Sequence, residues 1–502
     1  MVESQFEFLF CRLVACGANC STAETLLLHE SDSFCFSRLS LALTRALCAK
    51  EEGIMSSIIE NLALLRDGKT SSLEMLAQAK EAAQSHAALN AIAWVDWDLA
   101  EQAASRLDEQ RTGASSGVKP PLGPLHGIPI TIKDLYQVRG TPLMAGTRAA
   151  LPELGMDEAI AVSRLREAGA LIFAKTNMHE IALGATGENQ WTGDVLNPFD
   201  HAHQAGGSSS GAAAATAVGI GFAGLGSDTG GSVRIPAAFC GLAGFKPSFG
   251  AIPLAGALHL SWTCDHAGPL AKTTADCALL YEVMSQRSAA HGAVGRAPCF
   301  GVPQDWLAPR LADDVSQAFE RQVASLRAKG AEIHEVKLKA VLDRAWACYS
   351  AIVRPEAAWI HRAVLAHGGE GFSESVLNPM KLGEQMSALQ YIDAMQEREA
   401  VRRDLNACLA DLDALIMPTT AVAPPRRGQT TVSVAGGTMP VRDAVLGQTA
   451  AFSMVGLPTL TIPFARSGAL PLGLQIVGRA QADALVLALG RWLESQGVGS
   501  HD

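Results

Sequence analysis

Ser208 and Ser232 stand 24 residues apart, and each follows a Gly-Gly pair. Glycine lets a backbone turn back on itself and approach a ligand closely. Consecutive N–H groups in such a turn face one concavity and form an anion nest. A serine in that nest can attack a carbonyl carbon while the N–H groups hold the oxyanion that forms. The N–H groups placed for this are those of Thr229, Gly230, Gly231 and Ser232, with Asp228 bracing the turn as an acceptor. The serine still needs a base. Upstream, Lys133 closes the apolar run Ile128-Pro-Ile-Thr-Ile132. Burial disfavours the charged form of a lysine and lowers its pKa toward the range where it can accept a proton. The competing structural reading is a salt bridge between Lys133 and its neighbour Asp134.

Two short patterns in the same region point elsewhere and fail on context. Gly207-Ser-Ser-Ser-Gly211 fits the G-x-S-x-G nucleophile elbow, but an elbow follows a hydrophobic strand. The segment before it, Asn197-Pro-Phe-Asp-His-Ala-His-Gln204, is polar and turn-like. Gly219-Ile-Gly-Phe-Ala-Gly224 fits G-x-G-x-x-G, but it follows a helical pattern and precedes a strand-like one, the reverse of a dinucleotide site. Close packing is the better account of those glycines.

The elements that must position these residues alternate in type. Residues 56–112 carry helical periodicity, and 112–124 is a Gly/Ser/Pro linker. Residues 128–132 and 171–174 read as short buried strands around a helix at 160–168 that Gly169 stops. Residues 212–218 read as a helix and 221–225 as a strand running into the second glycine turn. Further on, 313–329 is an amphipathic helix, 332–336 a strand and 340–412 mostly helical. Residues 413–418 are a strand, 424–437 a long loop, and 459–463 and 472–477 the closing strands. Alternating strands and helices indicate an α/β sheet with parallel pairs, whose ligand loops lie at the carboxyl ends of strands. Lys133 and Ser232 both follow strand-like runs, so one sheet edge can hold both.

Gly206-Gly207-Ser208-Ser209 and Gly226-Ser-Asp-Thr-Gly-Gly-Ser-Val-Arg-Ile-Pro236 resemble the two signature motifs of the amidase signature family, serine hydrolases with a Ser-Ser-Lys triad. Ile132-Lys133-Asp134, Asn177-Met-His-Glu180, Phe239-Cys-Gly241, Lys246-Pro247, Met417-Pro-Thr-Thr420 and Leu474-Gln-Ile-Val-Gly478 fit in the family's order, so the likeness runs over residues 55–490. The resemblance implies an α/β amidase signature fold: a large mixed sheet of about eleven strands flanked by helices on both sides. It implies a single domain over 55–502, with a signature region at 120–285 and variable pocket helices near 340–412. It makes Lys133 the general base, Ser208 the proton relay on a cis peptide after Gly207, and Ser232 the nucleophile. Ser209 and Ser210 are read as hydrogen-bond support, with a helix N-cap as the alternative for Ser209. Ser210 stands where the family commonly has glycine, which leaves the backbone there open to question. Arg234 is typical of its place, either pairing with Asp228 or meeting an acidic substrate group. His126, His179 and His266 flank motifs and read as structural.

The implied reaction is hydrolysis of a carboxylic amide, aryl amide or carbamate through an acyl-enzyme, without metal or cofactor, by a monomer or homodimer. Family pocket walls fall near 136–148, 184–195, 254–264 and 340–400, which here supply Tyr136, Met144, Trp191, Leu258 and Trp262. The alternative is the catalytic component of a tRNA-dependent amidotransferase, its A subunit. Those relatives usually carry Gln after the motif arginine and Asn-Met-Asp-Glu-Phe upstream, whereas this chain has Ile235 and Asn177-Met-His-Glu-Ile181.

The resemblance implies a small-molecule amide substrate, and composition bounds the rest. A hydrophobic content of 48% with 18% charged residues is that of a globular protein. The net charge of −10 without a basic run argues against nucleic acid as a partner. No apolar stretch is long enough to span a membrane. Eleven cysteines without metal or disulfide spacing point to reduced thiols and a cytoplasmic protein. Residues 1–54 read as an extension, either poorly ordered or not native. Leu13-Val-Ala-Cys16 resembles a lipid-attachment box, but Glu3, Glu7 and Arg12 are wrong for a signal peptide. A chain beginning at Met55 is therefore expected to fold and keep activity. Loss of soluble protein on that truncation would show that residues 1–54 pack on the rest.

Overall fold

The computed structural model describes residues 57–113, 122–290 and 296–499. The N-terminal extension, the Cys16 box and most of the 112–124 linker lie outside them. The described residues cluster as one compact unit. Its strands are β1 (Ile92–Val95), β2 (Pro129–Lys133), β3 (Leu171–Thr176), β4 (Ala223–Asp228), β5 (Ala243–Lys246), β6 (His266–Ala271), β7 (Cys299–Val302), β8 (Glu332–Glu335), β9 (Ala414–Pro418), β10 (Thr431–Val434), β11 (Gly437–Pro440), β12 (Thr459–Ser467) and β13 (Leu470–Val477). Eleven of them form one mixed sheet in the order β1-β3-β2-β4-β6-β5-β12-β13-β9-β7-β8. This is the α/β architecture expected of the motifs, with helices packed on the sheet.

The site is fixed by the parallel core β3-β2-β4. β2 pairs parallel with both neighbours, Lys133 opposite Thr176 and Ile132 opposite Leu225. The carboxyl ends of β2, β3 and β4 therefore share one edge, and Lys133, Asn177 and Thr229 lie at or just past it. All five residues of β2 are buried. Such a strand needs cover on both faces, and a short helix, Ser210–Val218, covers one of them. Its sequence, SGAAAATAV, is mostly alanine, and Ser210 to Thr216 are buried. A helix that is apolar all round belongs inside the protein. Its small side chains let it lie close to β4, where a Cβ on Gly224 would meet Ala212 Cβ at 2.9 Å.

The helices at 160–167 and 313–328, and strands β2, β3, β8, β9, β12 and β13, match the sequence pattern within a few residues. Other strands escape it. β1 interrupts the stretch read as helical throughout. Asn90 turns left-handed just before Ile92, and Asp96 caps the next helix just after Val95. β6 reads His-Ala-Gly-Pro-Leu-Ala, and Gly and Pro inside a strand mimic a loop. Gly268 is needed there because a Cβ would lie 2.2 Å from the Phe245 carbonyl oxygen. The long loop expected at 424–437 carries instead a β10–β11 hairpin with Val434 opposite Gly437. β5 and β7 are four residues each, too short for a clear period.

Gly211 joins these layers. A Cβ there would lie 2.4 Å from both the Ala91 and the Asn177 carbonyl oxygens. These are backbone atoms anchored by β1 and β3 and cannot give way. Gly211→Ala is expected to lower unfolding stability by about 1–3 kcal/mol through overpacking, measured by denaturant titration.

Candidate active site

Lys133 is fully buried at the end of β2. Its Nζ lies 2.7 Å from Ser208 Oγ, 3.0 Å from Ser209 Oγ and 2.8 Å from Ser227 Oγ. Among the described residues, no carboxylate is in contact with it. The salt bridge with Asp134 does not form, because Asp134 Oδ1 pairs with Lys175 Nζ at 2.8 Å. Burial pushes the Lys133 ammonium down to about 7, against the opposing pull of Asp228 and Asp265. A lysine held there has a substantial free-base fraction at neutral pH, with hydroxyls for neighbours.

The serines come from the turn before helix 210–218. The Gly207–Ser208 peptide is cis, as the motif implies. Ser209 occupies the N-cap position of the helix, but its side chain makes no cap bond. Its Oγ accepts from Lys133 Nζ and from the Ser227 N–H and donates to the Ser227 carbonyl. Its side chain is thus hydrogen-bonded to Lys133 and Ser227 and does not cap the helix. Ser210 adopts helical backbone without positive φ, so serine is tolerated in place of glycine. Its buried Oγ has no hydrogen-bond partner among the described residues. Ser227, the third hydroxyl on Lys133, is a site residue that sequence reasoning missed. Its signal was its place within Gly226-Ser227-Asp228, next to a motif aspartate.

The Thr229–Ser232 turn follows β4 and meets the serine turn directly. The Ser209 N–H donates to the Ser232 carbonyl at 3.2 Å. Gly231 has φ 141°, and a Cβ there would lie 2.3 Å from Thr449 Oγ1, so only glycine fits. Thr449 Oγ1 donates to the Gly230 carbonyl at 2.5 Å, and the Ile235 N–H donates to the Gly231 carbonyl at 2.7 Å. In a trans peptide C=O and N–H point to opposite sides. Binding these two carbonyls therefore turns the N–H groups of Gly231 and Ser232 away from them. Among the described residues, no protein acceptor takes the N–H of Thr229, Gly230, Gly231 or Ser232.

Asp228 and Arg234 brace this turn from behind. Asp228 accepts from Arg234 Nε and Nη2 at 3.0 Å each, from Ser453 Oγ at 2.7 Å and from the Val233 N–H at 3.2 Å. Burial alone would raise its pKa, but the Arg234 guanidinium and these donors hold it well below the usual carboxylate range. Arg234 also donates to Gln475 Oε1, the Thr449 carbonyl and Ser453 Oγ. It is fully buried and its donors are spent inside the protein. It pairs with Asp228 and is not free to meet a substrate anion.

The flanking histidines are held by the fold. His126 Nε2 lies 2.9 Å from the Leu107 carbonyl. His266 Nδ1 faces the Asp228 and Cys264 carbonyls, which assigns its proton to Nδ1, and burial keeps the ring neutral. Burial and the nearby Lys133 push His179 down to about 4. The five candidate wall residues fall in more than one neighbourhood. Tyr136 is buried and donates to the Gly226 carbonyl at 2.8 Å. Leu258 lies beside it, its N–H on the Leu135 carbonyl. Trp191 donates its indole N–H to Glu180 and carries Arg148 on its face. Trp262 is exposed and meets Trp359 edge-on at 5.4 Å, and Met144 is exposed.

The model of the family described as Amidase matches residues 74–487. A solved structure described as the crystal structure of an amidase superposes with a TM-score of 0.85 at 46% identity, covering 88% of this chain and all of the other. A structure reported with a vestigial complex and the origins of an s-triazine catabolic enzyme superposes at 0.81 and 28% identity, covering 88% and 99%. The A subunit of the glutamyl-tRNA(Gln) amidotransferase of Symbiobacterium thermophilum is 31% identical over 483 residues, 87% of this chain and 95% of that protein. A mixed eleven-stranded sheet carrying these motifs is the architecture of an amidase signature enzyme. The chain belongs to the amidase signature family. Among the described residues, no helix is long and apolar enough to cross a membrane.

The Asp228–Arg234 pair generates a clear expectation. Arg234→Met leaves Asp228 buried without its counter-charge, and breaking such a pair costs about 3–5 kcal/mol. Calorimetry should show a lowered melting temperature. A variant of unchanged stability with raised KM for anionic substrates alone would return Arg234 to substrate binding.

Proposed function

We propose that this protein is an amidohydrolase that cleaves the C–N bond of a carboxylic amide, aryl amide or carbamate. The observation that carries this reading is Lys133, buried without a carboxylate in contact among the described residues and 2.7 Å from Ser208 Oγ. In this reading neutral Lys133 accepts the Ser208 proton as Ser208 accepts that of Ser232. Ser232 Oγ bonds to the carbonyl carbon, and the carbonyl electrons move onto oxygen. The free N–H groups of the Thr229–Ser232 turn hold that oxyanion, an interaction whose loss typically costs ~10²–10³ in rate per donor. The oxyanion collapses, the C–N bond breaks, and the nitrogen leaves with the proton returned through Ser208. Water then attacks the acyl-Ser232 ester by the same relay and releases the carboxylic acid. Ser209 and Ser227 keep Lys133 oriented.

The second reading, the A subunit of a tRNA-dependent amidotransferase, is favoured by the name of the relative that is 31% identical. Against it stand the 46% identity to an amidase and Ile235, whose Cδ1 lies 2.6 Å from where a Gly231 Cβ would fall. A Gln at 235 would bring an amide group to that packed position. Turnover of primary amides, anilides and carbamates by the isolated chain would separate the two, because the second reading requires partners for its full reaction.

Ser232→Ala is expected to abolish turnover and covalent labelling by a sulfonyl fluoride, with little change in stability. A base must be unprotonated, so kcat/KM should rise as pH passes through about 7, where Lys133 loses its proton, and stay high above it. Lys133→Ala should lose several orders of magnitude, and Lys133→Arg should fail as well because a guanidinium keeps its proton. Near-normal amide hydrolysis by Lys133→Ala would sink the triad.

A further inference from the structure

Two carboxylates act on Lys133, and they are neutralised differently. Asp228 is matched by Arg234. Asp265, buried just before β6, has no Arg or Lys partner among the described residues, and its ion pair is with His259. Asp265 Oδ1 accepts from Thr229 Oγ1 at 2.6 Å, at the start of the turn that carries the free N–H groups. Asp265 Oδ2 faces His259 Nδ1 at 3.0 Å and accepts from the Leu260 N–H at 2.9 Å. The Ser261 N–H adds a bond to each oxygen at 3.1 Å. One carboxylate thus ties the 259–261 segment to the Thr229 turn.

His259 differs from the other histidines near the site. His179 and His266 are pushed down by burial, whereas the hydrogen bond to Asp265 raises His259 despite its partial burial. Its side chain is 36% exposed, so it exchanges protons with solvent. Nδ1 faces a carboxylate and carries a hydrogen, so protonation occurs at Nε2. Glu356, on helix Lys339–Ile360, also acts on His259. Asp265 acts on Lys133 and on the Tyr136 and Tyr349 phenols, which burial keeps neutral. Lys133 in turn feels Asp228 and Asp265.

We propose that Asp265 and His259 are positioning residues for the reaction: the carboxylate holds the Thr229 turn, and the imidazolium offsets the charge that the carboxylate presents to Lys133. The inference rests on Lys133 being the base. A protonated His259 lets Lys133 shed its proton, and loss of that cation leaves Asp265 to stabilise the ammonium. The two members of one pair therefore act on Lys133 with opposite sign, which a purely structural contact would not do.

The test is the pH dependence of kcat/KM for wild type, His259→Gln, His259→Ala and Asp265→Asn. Gln keeps a neutral hydrogen-bond donor near Asp265 and removes only the charge. In both His259 variants the limb near 7 should move up by roughly one pH unit, the size of a single charge acting across a protein interior. In Asp265→Asn, which keeps an acceptor for Thr229, it should move down, with kcat falling more than KM changes. The imidazole C–H resonance of His259 should titrate above the usual histidine value and drop in Asp265→Asn. That resonance can be followed whatever the base is, and in His259→Gln the pair is probed even if Asp265→Asn does not fold. A limb left unmoved by His259→Gln, or moved the same way by both kinds of variant, overturns the proposal alone if Lys133→Ala is inactive. A Lys133→Ala enzyme that keeps the wild-type limb overturns the proposal together with the base assignment.

Discussion

An ammonium group removed from water must either meet an anion or give up its proton, and the fold around Lys133 withholds the anion. Its sequence neighbour Asp134 is engaged by Lys175. Asp228, one strand away, is engaged by Arg234. Among the described residues, what remains in contact are three serine hydroxyls from two segments, the turn before helix 210–218 and the end of β4. Hydroxyls can exchange protons with a neutral amine but cannot offset the desolvation of a cation. The parallel core β3-β2-β4 serves this single arrangement by bringing three strand ends to one edge.

Arg234 extends the constraint across the chain. Its partners come from β4, from the helix Ala450–Met454 and its flank, and from β13. The turn bearing Ser232 is thereby bound to the last third of the sequence. Thr449, which holds the Gly230 carbonyl, belongs to the same region. The geometry of the free N–H groups therefore depends on residues more than 200 positions away, in keeping with a family match that spans residues 74–487 and not the signature motifs alone.

The central residues of the candidate site were legible because type and order mark them: lysine after an apolar strand, serines after glycine pairs. Ser227, Asp265, Thr449 and Gln475 were not, because each gains its role only through a contact distant in sequence. β6 was hidden by Gly268 and Pro269, which otherwise signal a loop; the glycine is there because Phe245 lies so close. The hairpin in the expected 424–437 loop was hidden because its β-branched residues, Thr431, Val432, Val434 and Thr438, lie on both sides of Gly437. Separating the two fates of Asp134 and Lys133 needed the third partner, Lys175, which lies on a different strand.

The alanine-packed floor formed by helix 210–218 on β4 has a further consequence. Where side chains are a methyl group or a hydrogen, no volume can be traded between neighbours, so substitution in that layer has nowhere to relax. The exposed aromatic corner at Trp262 and Trp359 is under no such restriction. Diversification of this scaffold is thus partitioned in advance. The floor around the candidate site resists substitution, and the long helices and loops that surround it leave more room for change.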